Sequence, residues 1–206
     1  MLNKHNLNIA AICPKDPSKY SIAGINVTET RTEATDGHML LVVDRPKLDI
    51  QDYPVIDGFT ATAQHNSFIL DAKSALDISK AIPKKSTLPI LQNAVIGEQT
   101  NTNGNAYIAV TDPDRPQVFS PRKLDVNFPK LDDYIPKLED AVFRISFNAE
   151  LLAKLSKLMA DISTDKQGHV ITLSFTDNTH AVRIDCDNVD TGQHAIGVLM
   201  PIRLAE

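Results

Sequence analysis

Two stretches of the chain, residues 71–82 and 148–159, align with each other without a gap. Both begin with a residue type that caps helices, Asp71 or Asn148, and they share their apolar positions and a Ser-Lys pair. Each is followed by about three strand-like segments, and a fainter third copy of this pattern begins near Leu2. Because one unit of this size cannot bury its own apolar face, neighbouring units must share sheets. We therefore predict an α+β fold of repeated units, each with one helix and antiparallel strands.

The composition limits the classes of protein to which the chain can belong. Its 206 residues, 42% of them hydrophobic, can bury one large core or two modest ones. The net charge of −5 argues against a surface that is basic throughout, so DNA contact must be argued from individual lysines. Cys13 and Cys186 match no metal or redox spacing and are expected to be buried thiols. With no signal-peptide pattern and no run long enough to cross a bilayer, we expect a cytoplasmic protein.

Hydrophobic periodicity and turn residues predict the secondary structure. Helices are expected at residues 2–12, 71–82 and 148–162, of which the last has the clearest amphipathic pattern. Strands are expected at residues 20–28, 67–70, 88–96, 106–111, 117–120, 142–147, 170–175, 180–184 and 195–201. Residues 46–58 are expected to form a polar, proline-bearing connection, and residues 100–105 a loop.

The segment from Thr32 to Val43 is typical of a β-hairpin. Asp36 and Gly37 supply the turn, because glycine tolerates the positive φ that a tight turn demands. The apolar run that starts at Met39 is rich in β-branched residues, so we expect it to be a buried strand.

Four stretches together resemble the bacterial DNA polymerase III beta subunit, the sliding-clamp family. Thr35-Asp36-Gly37-His38, with Arg31 before it and Leu40 after it, is similar to the clamp's Ala-Thr-Asp-Gly-His-Arg-Leu hairpin. Residues 87–93, Thr-Leu-Pro-Ile-Leu-Gln-Asn, resemble the Leu-Pro-Ile-Leu-x-Asn stretch that follows a clamp's first helix. Residues 128–136, Phe-Pro-Lys-Leu-Asp-Asp-Tyr-Ile-Pro, resemble its Phe-Pro-Asp-Tyr inter-domain segment. Residues 198–204, Val-Leu-Met-Pro-Ile-Arg-Leu, resemble its terminal Val-Met-Pro-Met-Arg-Leu.

The resemblance implies the DNA-clamp fold and a domain organisation. Residues 1–136 would form one clamp-like domain of two helix-bearing units, at about 1–66 and 67–136. Residues 137–206 would form a third unit, which resembles the second half of the clamp's last domain. Because a third unit leaves one half-domain and its sheet edges uncovered, we expect a homo-oligomer.

In the clamp family, the hairpin, the Phe-Pro segment and the C-terminal strand line an apolar cleft. That cleft binds short peptide motifs of DNA polymerases, the clamp loader and repair proteins. The resemblance carries this role to Thr35, Gly37, His38, Leu40, Pro129, Tyr134, Val198, Met200, Pro201, Ile202 and Leu204. Without the resemblance, the apolar members of this set would be interpreted as ordinary core residues. Met39 and Asp133 stand where clamps commonly carry basic residues, so we expect a more acidic rim.

Clamp helices also present lysine and arginine to the phosphates of duplex DNA, without reading its bases. The resemblance assigns this role to Lys73, Lys80, Lys84, Lys85, Lys154 and Lys157. Asp77 and Glu150 dilute the positive charge on the two helices. The alternative is that these lysines lie on ordinary solvated helix faces.

The sequence offers little for catalysis. His38 lies near Asp36, but no nucleophile motif and no phosphate-binding glycine loop accompanies them. Asp185, Asp187 and Asp190 lack the other residues of a calcium loop. We expect no enzymatic activity, no cofactor and no metal.

The resemblance therefore implies a processivity or docking factor for DNA replication that tethers partner proteins to duplex DNA. The alternative belongs to another class: an interaction module, or decoy, that binds clamp-binding peptides but does not encircle DNA.

Overall fold

The computed structural model describes residues 1–14, 22–62, 66–99, 106–112, 115–164 and 168–203. The chain divides into two compact units, Met1–Tyr134 and Ile135–Glu206, here called the first and second unit. The fold is α+β, and every pair of named strands in the described residues is antiparallel. The predicted loop at 100–105 and the first two residues of the predicted strand at 20–28 lie outside the described residues.

The first unit contains two helices and ten strands in its described residues. The helices are α1 (Lys4–Asn8), which continues as a 3-10 turn over Ile9–Ile12, and α2 (Ala72–Ala81). The strands are β1 (Leu2–Asn3), β2 (Gly24–Val27), β3 (Arg31–Thr35), β4 (Leu40–Asp44), β5 (Phe59–Ala61), β6 (Phe68–Asp71), β7 (Asn93–Gln99), β8 (Ala106–Asp112), β9 (Arg115–Phe119) and β10 (Lys123–Leu124).

These strands form two sheets in the described part of the first unit. One sheet has the order β10-β6-β2-β3-β4, which places β4 at its edge. The other has the order β1-β7-β8-β9, and β5 also pairs with β7. The hydrophobic core lies where α1 and α2 pack against strands of both sheets. Its fully buried residues include Leu2, Leu7, Ile25, Leu70, Ile78, Ile82, Ile96 and Ile108.

The two halves of the first unit exchange their strands in the same way. β1, which precedes α1, pairs with β7, the first strand after α2. β6, which precedes α2, pairs with β2, the next described strand after α1. Asn3 and Asp71, which cap the two helices, lie opposite Asn93 and Gly24, the first residues of β7 and β2. The topology of this unit therefore has an internal two-fold relation.

The second unit consists of one helix on one small sheet. Its strands β11 (Thr172–Ser174), β12 (Val182–Asn188) and β13 (Gln193–Leu199) lie in the order β11-β12-β13. Helix α3 (Ala149–Ile162) packs against β12 and β13. Its buried core is small and consists of Met159, Val182, Ile184, Cys186 and Leu199. Along the chain, each of the three helices is thus followed by at least three described strands.

Local sequence rules predicted most element positions. The predicted caps are confirmed, because Asp71 accepts a hydrogen bond from the Ser74 N–H and Asn148 accepts from the Glu150 and Leu151 N–H groups. Most predicted strands are present with ends shifted by a few residues. The weak helix prediction holds from Lys4, whereas the two residues before it form β1.

Three sequence predictions are wrong. Residues 88–92 do not begin a strand; Pro89–Gln92 form a 3-10 turn, because Pro89 fixes φ and lacks the N–H that a strand ladder uses. Residues 142–147 form no strand, since alternation alone does not make one without a paired neighbour. Met39 is 56% exposed because it lies in the turn before β4, and Leu41 is 43% exposed on the edge strand β4.

The connection at 46–58 contributes to the core, although its polar composition predicts an exposed segment. It contains a 3-10 turn at Ile50–Asp52, after which Tyr53 and Ile56 are buried against β5, β7 and β8. Three short strands, β1, β5 and β10, were also missed by the sequence analysis, because two or three residues carry no measurable periodicity.

Candidate functional site

The hairpin between β3 and β4 has a tightly hydrogen-bonded turn. The Asp36 carboxylate accepts hydrogen bonds from the backbone N–H groups of Met39 and His38, both at 2.8 Å. These N–H groups hold the pKa of Asp36 below its usual range. Gly37 has a φ of 93°, a conformation that side chains with a Cβ rarely adopt, which explains the glycine at this position. Four residues, 36–39, therefore connect the strands rather than a two-residue turn.

Thr35 fixes the base of the same turn. Its hydroxyl donates to the Met39 carbonyl at 2.8 Å and accepts from the Gly37 N–H at 3.1 Å. The backbone of the turn is thus held from inside by Thr35 and Asp36. As a result the side chains of His38 and Met39 are exposed on the outside of the hairpin.

A second segment, residues 128–134, lies beside this hairpin. It ends in a 3-10 turn at Leu131–Tyr134, of which Leu131 is buried and Tyr134 is 68% exposed. Arg31 on β3 joins the two segments, donating to Glu33 at 2.6 Å and to Asp132 at 2.7 Å. The hydrogen bond from Arg31 holds the pKa of Asp132 below its usual range. Since Asp132 is mostly exposed, this ion pair orients the segment more than it stabilises the fold.

A groove of about 420 Å³ lies between the hairpin and this segment. Its lining consists of Thr35, Gly37, His38, Met39, Leu40, Pro129, Leu131 and Tyr134. All six residues that the sequence analysis assigned to a peptide cleft in this part of the chain are in that set. Met39 and Leu131 were not predicted as lining residues. The position of Met39 beside the turn and the apolar Leu131 inside the Phe-Pro segment could have indicated them. We call this surface the hairpin groove.

The other predicted cleft residues belong to the second unit. Val198 lies on β13, and Met200, Pro201 and Ile202 follow that strand. Val198 and Met200 are each more than 60% exposed within the chain, and Ile202 is 44% exposed. Leu204 lies outside the described residues. The side chains of Val198, Met200 and Ile202 are therefore apolar and accessible rather than part of the core.

The predicted DNA-facing lysines are all exposed. Lys73 and Lys80 lie on α2, Lys84 and Lys85 follow its end, and Lys154 and Lys157 lie on α3. The Lys80 ammonium donates to Asp77 at 2.8 Å, and this bond lowers the pKa of Asp77. The positive charge of Lys80 is thus partly balanced by its own helix.

A polar network lies on the outer surface of the second unit's sheet and consists of Arg183, Asp185, Asp187 and His194. His194 contacts Asp187 at 2.7 Å and Asp185 at 3.3 Å, and Arg183 donates to Asp185 at 2.7 Å. Arg183 lowers the pKa of Asp185. Within the described ranges, no group of three or more His, Cys, Asp or Glu residues has a geometry that could hold a metal ion.

Comparison with protein-family models and with curated proteins gives no match. None of the helices in the described part of the chain has the length and apolar character that crossing a bilayer requires.

Proposed function

We propose that this protein is a sliding-clamp-like docking factor for DNA replication, without catalytic activity. It binds short apolar peptide segments of DNA polymerases, clamp loaders or repair proteins and tethers them to duplex DNA. The observation that carries this proposal is the hairpin groove. Two segments far apart in the sequence, chosen for their resemblance to clamp motifs, contribute all their assigned residues to one concave surface.

The chemistry of the hairpin groove suits a peptide side chain. Its volume falls within the roughly 300–1,000 Å³ of typical ligand sites. Leu40, Met39 and Pro129 provide apolar walls, and the flexible Met39 side chain adapts to anchors of different shape. One buried aliphatic or aromatic anchor contributes about 1.5–3 kcal/mol, so two anchors with backbone hydrogen bonds give micromolar binding.

The topology of the first unit supports the same proposal. Two halves of one helix and several antiparallel strands, related by an internal two-fold, are the arrangement expected of a clamp-like domain at residues 1–136. Residues 137–206 would then be a further half-domain. The resemblance to clamps assigns its residues Val198, Met200, Pro201, Ile202 and Leu204 to peptide binding as well.

Peptide titration tests the cleft. A fluorescently labelled clamp-binding peptide is titrated against the wild type and against the double variant Leu40→Ala, Met200→Ala, with binding read as fluorescence anisotropy. We expect the double variant to bind at least tenfold more weakly, because it loses two apolar contacts.

The matched control is Leu41→Ala with Val189→Ala. Leu41 neighbours Leu40 but does not line the hairpin groove, and Val189 is an exposed residue of the second unit. The control should bind like the wild type, and all three proteins should melt at similar temperatures. No saturable binding by the wild type, or equal losses in the two double variants, would refute the cleft.

A further inference from the structure

The described residues of the second unit contain the parts of one half of the first unit and none of the other half. When the alignment of Asp71 with Asn148 is extended backwards, β6 corresponds to residues 145–148. The segment after the last strand of the second unit also corresponds to β10. In the first unit β10 pairs with β6, and in the second the Ile202 N–H donates to the Ser146 carbonyl at 2.7 Å. Residues 145–148 therefore hold the place of a strand that precedes a helix.

In the first unit, each such strand pairs with the other half. β6 pairs with β2, and β1 pairs with β7, so that each helix-capping residue faces the first residue of the opposite strand. The structure describes no strand in that position beside residues 145–148. β11, which corresponds to β7, is likewise the edge of its sheet in the described part of the second unit.

The apolar residues along these edges are more exposed than the corresponding residues of the first unit. Leu173 on β11 is 36% exposed, whereas Ile96, the corresponding residue of β7, is 1% exposed. On α3, Leu152 and Leu155 are only partly buried, although the corresponding Ala75 and Ile78 of α2 are 0% and 1% exposed. The surface that the first unit buries between its halves is thus left open in the second.

We infer that a second copy of this chain covers this surface, pairing second unit with second unit about a two-fold axis. Residues 145–148 of each copy form a strand against residues 170–173 of the other, antiparallel, with Phe147 opposite Ile171. Both crossed pairs of the first unit give this register, since Leu2 faces Ala94 and Leu70 faces Ile25. The predicted strand at 142–147 would then form only in the assembly.

The surface is self-complementary, which favours a second copy over any other partner. Each copy offers one strand segment with an open side and one open sheet edge, so a two-fold axis satisfies both at once. In the first unit the helices meet where the Ser79 hydroxyl donates to Asn8 at 2.6 Å. The corresponding residues of α3 are Ser156 and Ala153, which are small and uncharged, whereas Lys154 and Lys157 remain exposed. The contact between the two helices therefore buries no lysine.

Light scattering of the full chain and cysteine cross-linking test this inference together. We expect a mass of about 45 kDa at micromolar concentration, twice the 22.6 kDa of one chain. The register places Ser146 opposite Thr172 of the second copy, so Ser146→Cys with Thr172→Cys should form disulfide-linked dimers upon mild oxidation. On a non-reducing gel an internal disulfide would leave the mass of a single chain, so only the doubled mass counts as pairing between copies.

The matched control is Ser146→Cys with Ser174→Cys, in which the second cysteine is two residues out of register on the same strand. It should form at least fivefold less cross-linked dimer, because its Cα atoms lie too far apart. A single-chain mass up to 100 µM, or equal cross-linking of the two pairs, would overturn the inference. Far-ultraviolet circular dichroism confirms that both variants are folded.

Discussion

At the scale of single residues, the hydroxyl of Tyr53 ties two neighbouring strands together from outside the sheet. It donates to the Asn93 carbonyl on β7 at 2.9 Å and accepts from the Thr111 N–H on β8 at 3.1 Å. Burial raises the pKa of Tyr53, so the hydroxyl keeps its proton at neutral pH. The connection at 46–58 is thereby fastened to the second sheet of the first unit.

Replacement of Tyr53 by Phe should destabilise the fold by about 1–3 kcal/mol, because both buried hydrogen bonds are lost while the ring remains. Chemical denaturation measures this difference. Tyr134→Phe is the control, since Tyr134 is largely exposed, and it should change the free energy of unfolding by less than about 0.5 kcal/mol. Equal stability of Tyr53→Phe and wild type would show that the two hydrogen bonds contribute nothing net.

The contrast between Tyr53 and the helix caps shows which hydrogen bonds can be predicted from the sequence. Asp71 and Asn148 could be predicted because a cap bonds a backbone N–H two or three residues away. The partners of Tyr53 lie 40 and 58 residues away, and no local pattern indicates them. In the hairpin groove, Leu40 and Tyr134 were predictable from motif resemblance, whereas the exposure of Met39 depends on the hydrogen bonds that shape the turn before β4.

At the scale of elements, α2 and α3 begin with the same kind of cap but pack on cores of different size. Asp71 accepts from the Ser74 N–H at 3.0 Å within the larger core of the first unit. Asn148 accepts from two N–H groups, at 2.9 and 3.1 Å, above the small core of the second. The strand before each helix differs as well: β6 has paired neighbours, whereas residues 142–147 have none among the described strands. Periodicity therefore predicted both helices but only one of these two strands.

Asp71→Ala and Asn148→Ala should each lower the free energy of unfolding by about 1 kcal/mol, because each leaves N–H groups of the first turn without their side-chain acceptor. Denaturant titration followed by circular dichroism measures the change. The exchanges Asp71→Asn and Asn148→Asp keep an acceptor oxygen and should stay within about 0.5 kcal/mol of wild type. If the exchanges cost as much as the alanine variants, capping is not the cause.

At the scale of the whole molecule, an acidic chain places lysines on exposed faces of its longer helices. The net charge is −5, yet α2 and α3 each carry two of the proposed DNA-facing lysines. Such an arrangement suits weak, sequence-independent contact with phosphates, which lets a tethered protein move along a duplex. The pairing of Lys80 with Asp77 weakens this contact further.

Reversal of charge at Lys73, Lys80, Lys154 and Lys157 to Glu should abolish association with labelled duplex DNA, measured by anisotropy between 50 and 200 mM salt. Wild-type association should fall steeply with salt, because binding releases counterions. The control reverses Lys47, Lys123, Lys130 and Lys137, which gives the same net charge but leaves α2 and α3 unchanged. An equal loss of DNA association in the control would show that overall charge, not the lysines of α2 and α3, determines binding. Peptide binding without any wild-type DNA association would favour the interaction module.

The count of half-domains has a consequence for stoichiometry. Two halves complete the pattern in the first unit, whereas the described residues of the second unit supply a single half. Pairing of second units therefore joins the chains two at a time. Because the two open edges of the second unit are used together in a symmetric pair, that contact ends at two copies and cannot propagate into a fibre. In a trimer or pentamer built on this contact, one second unit would keep both of its edges uncovered.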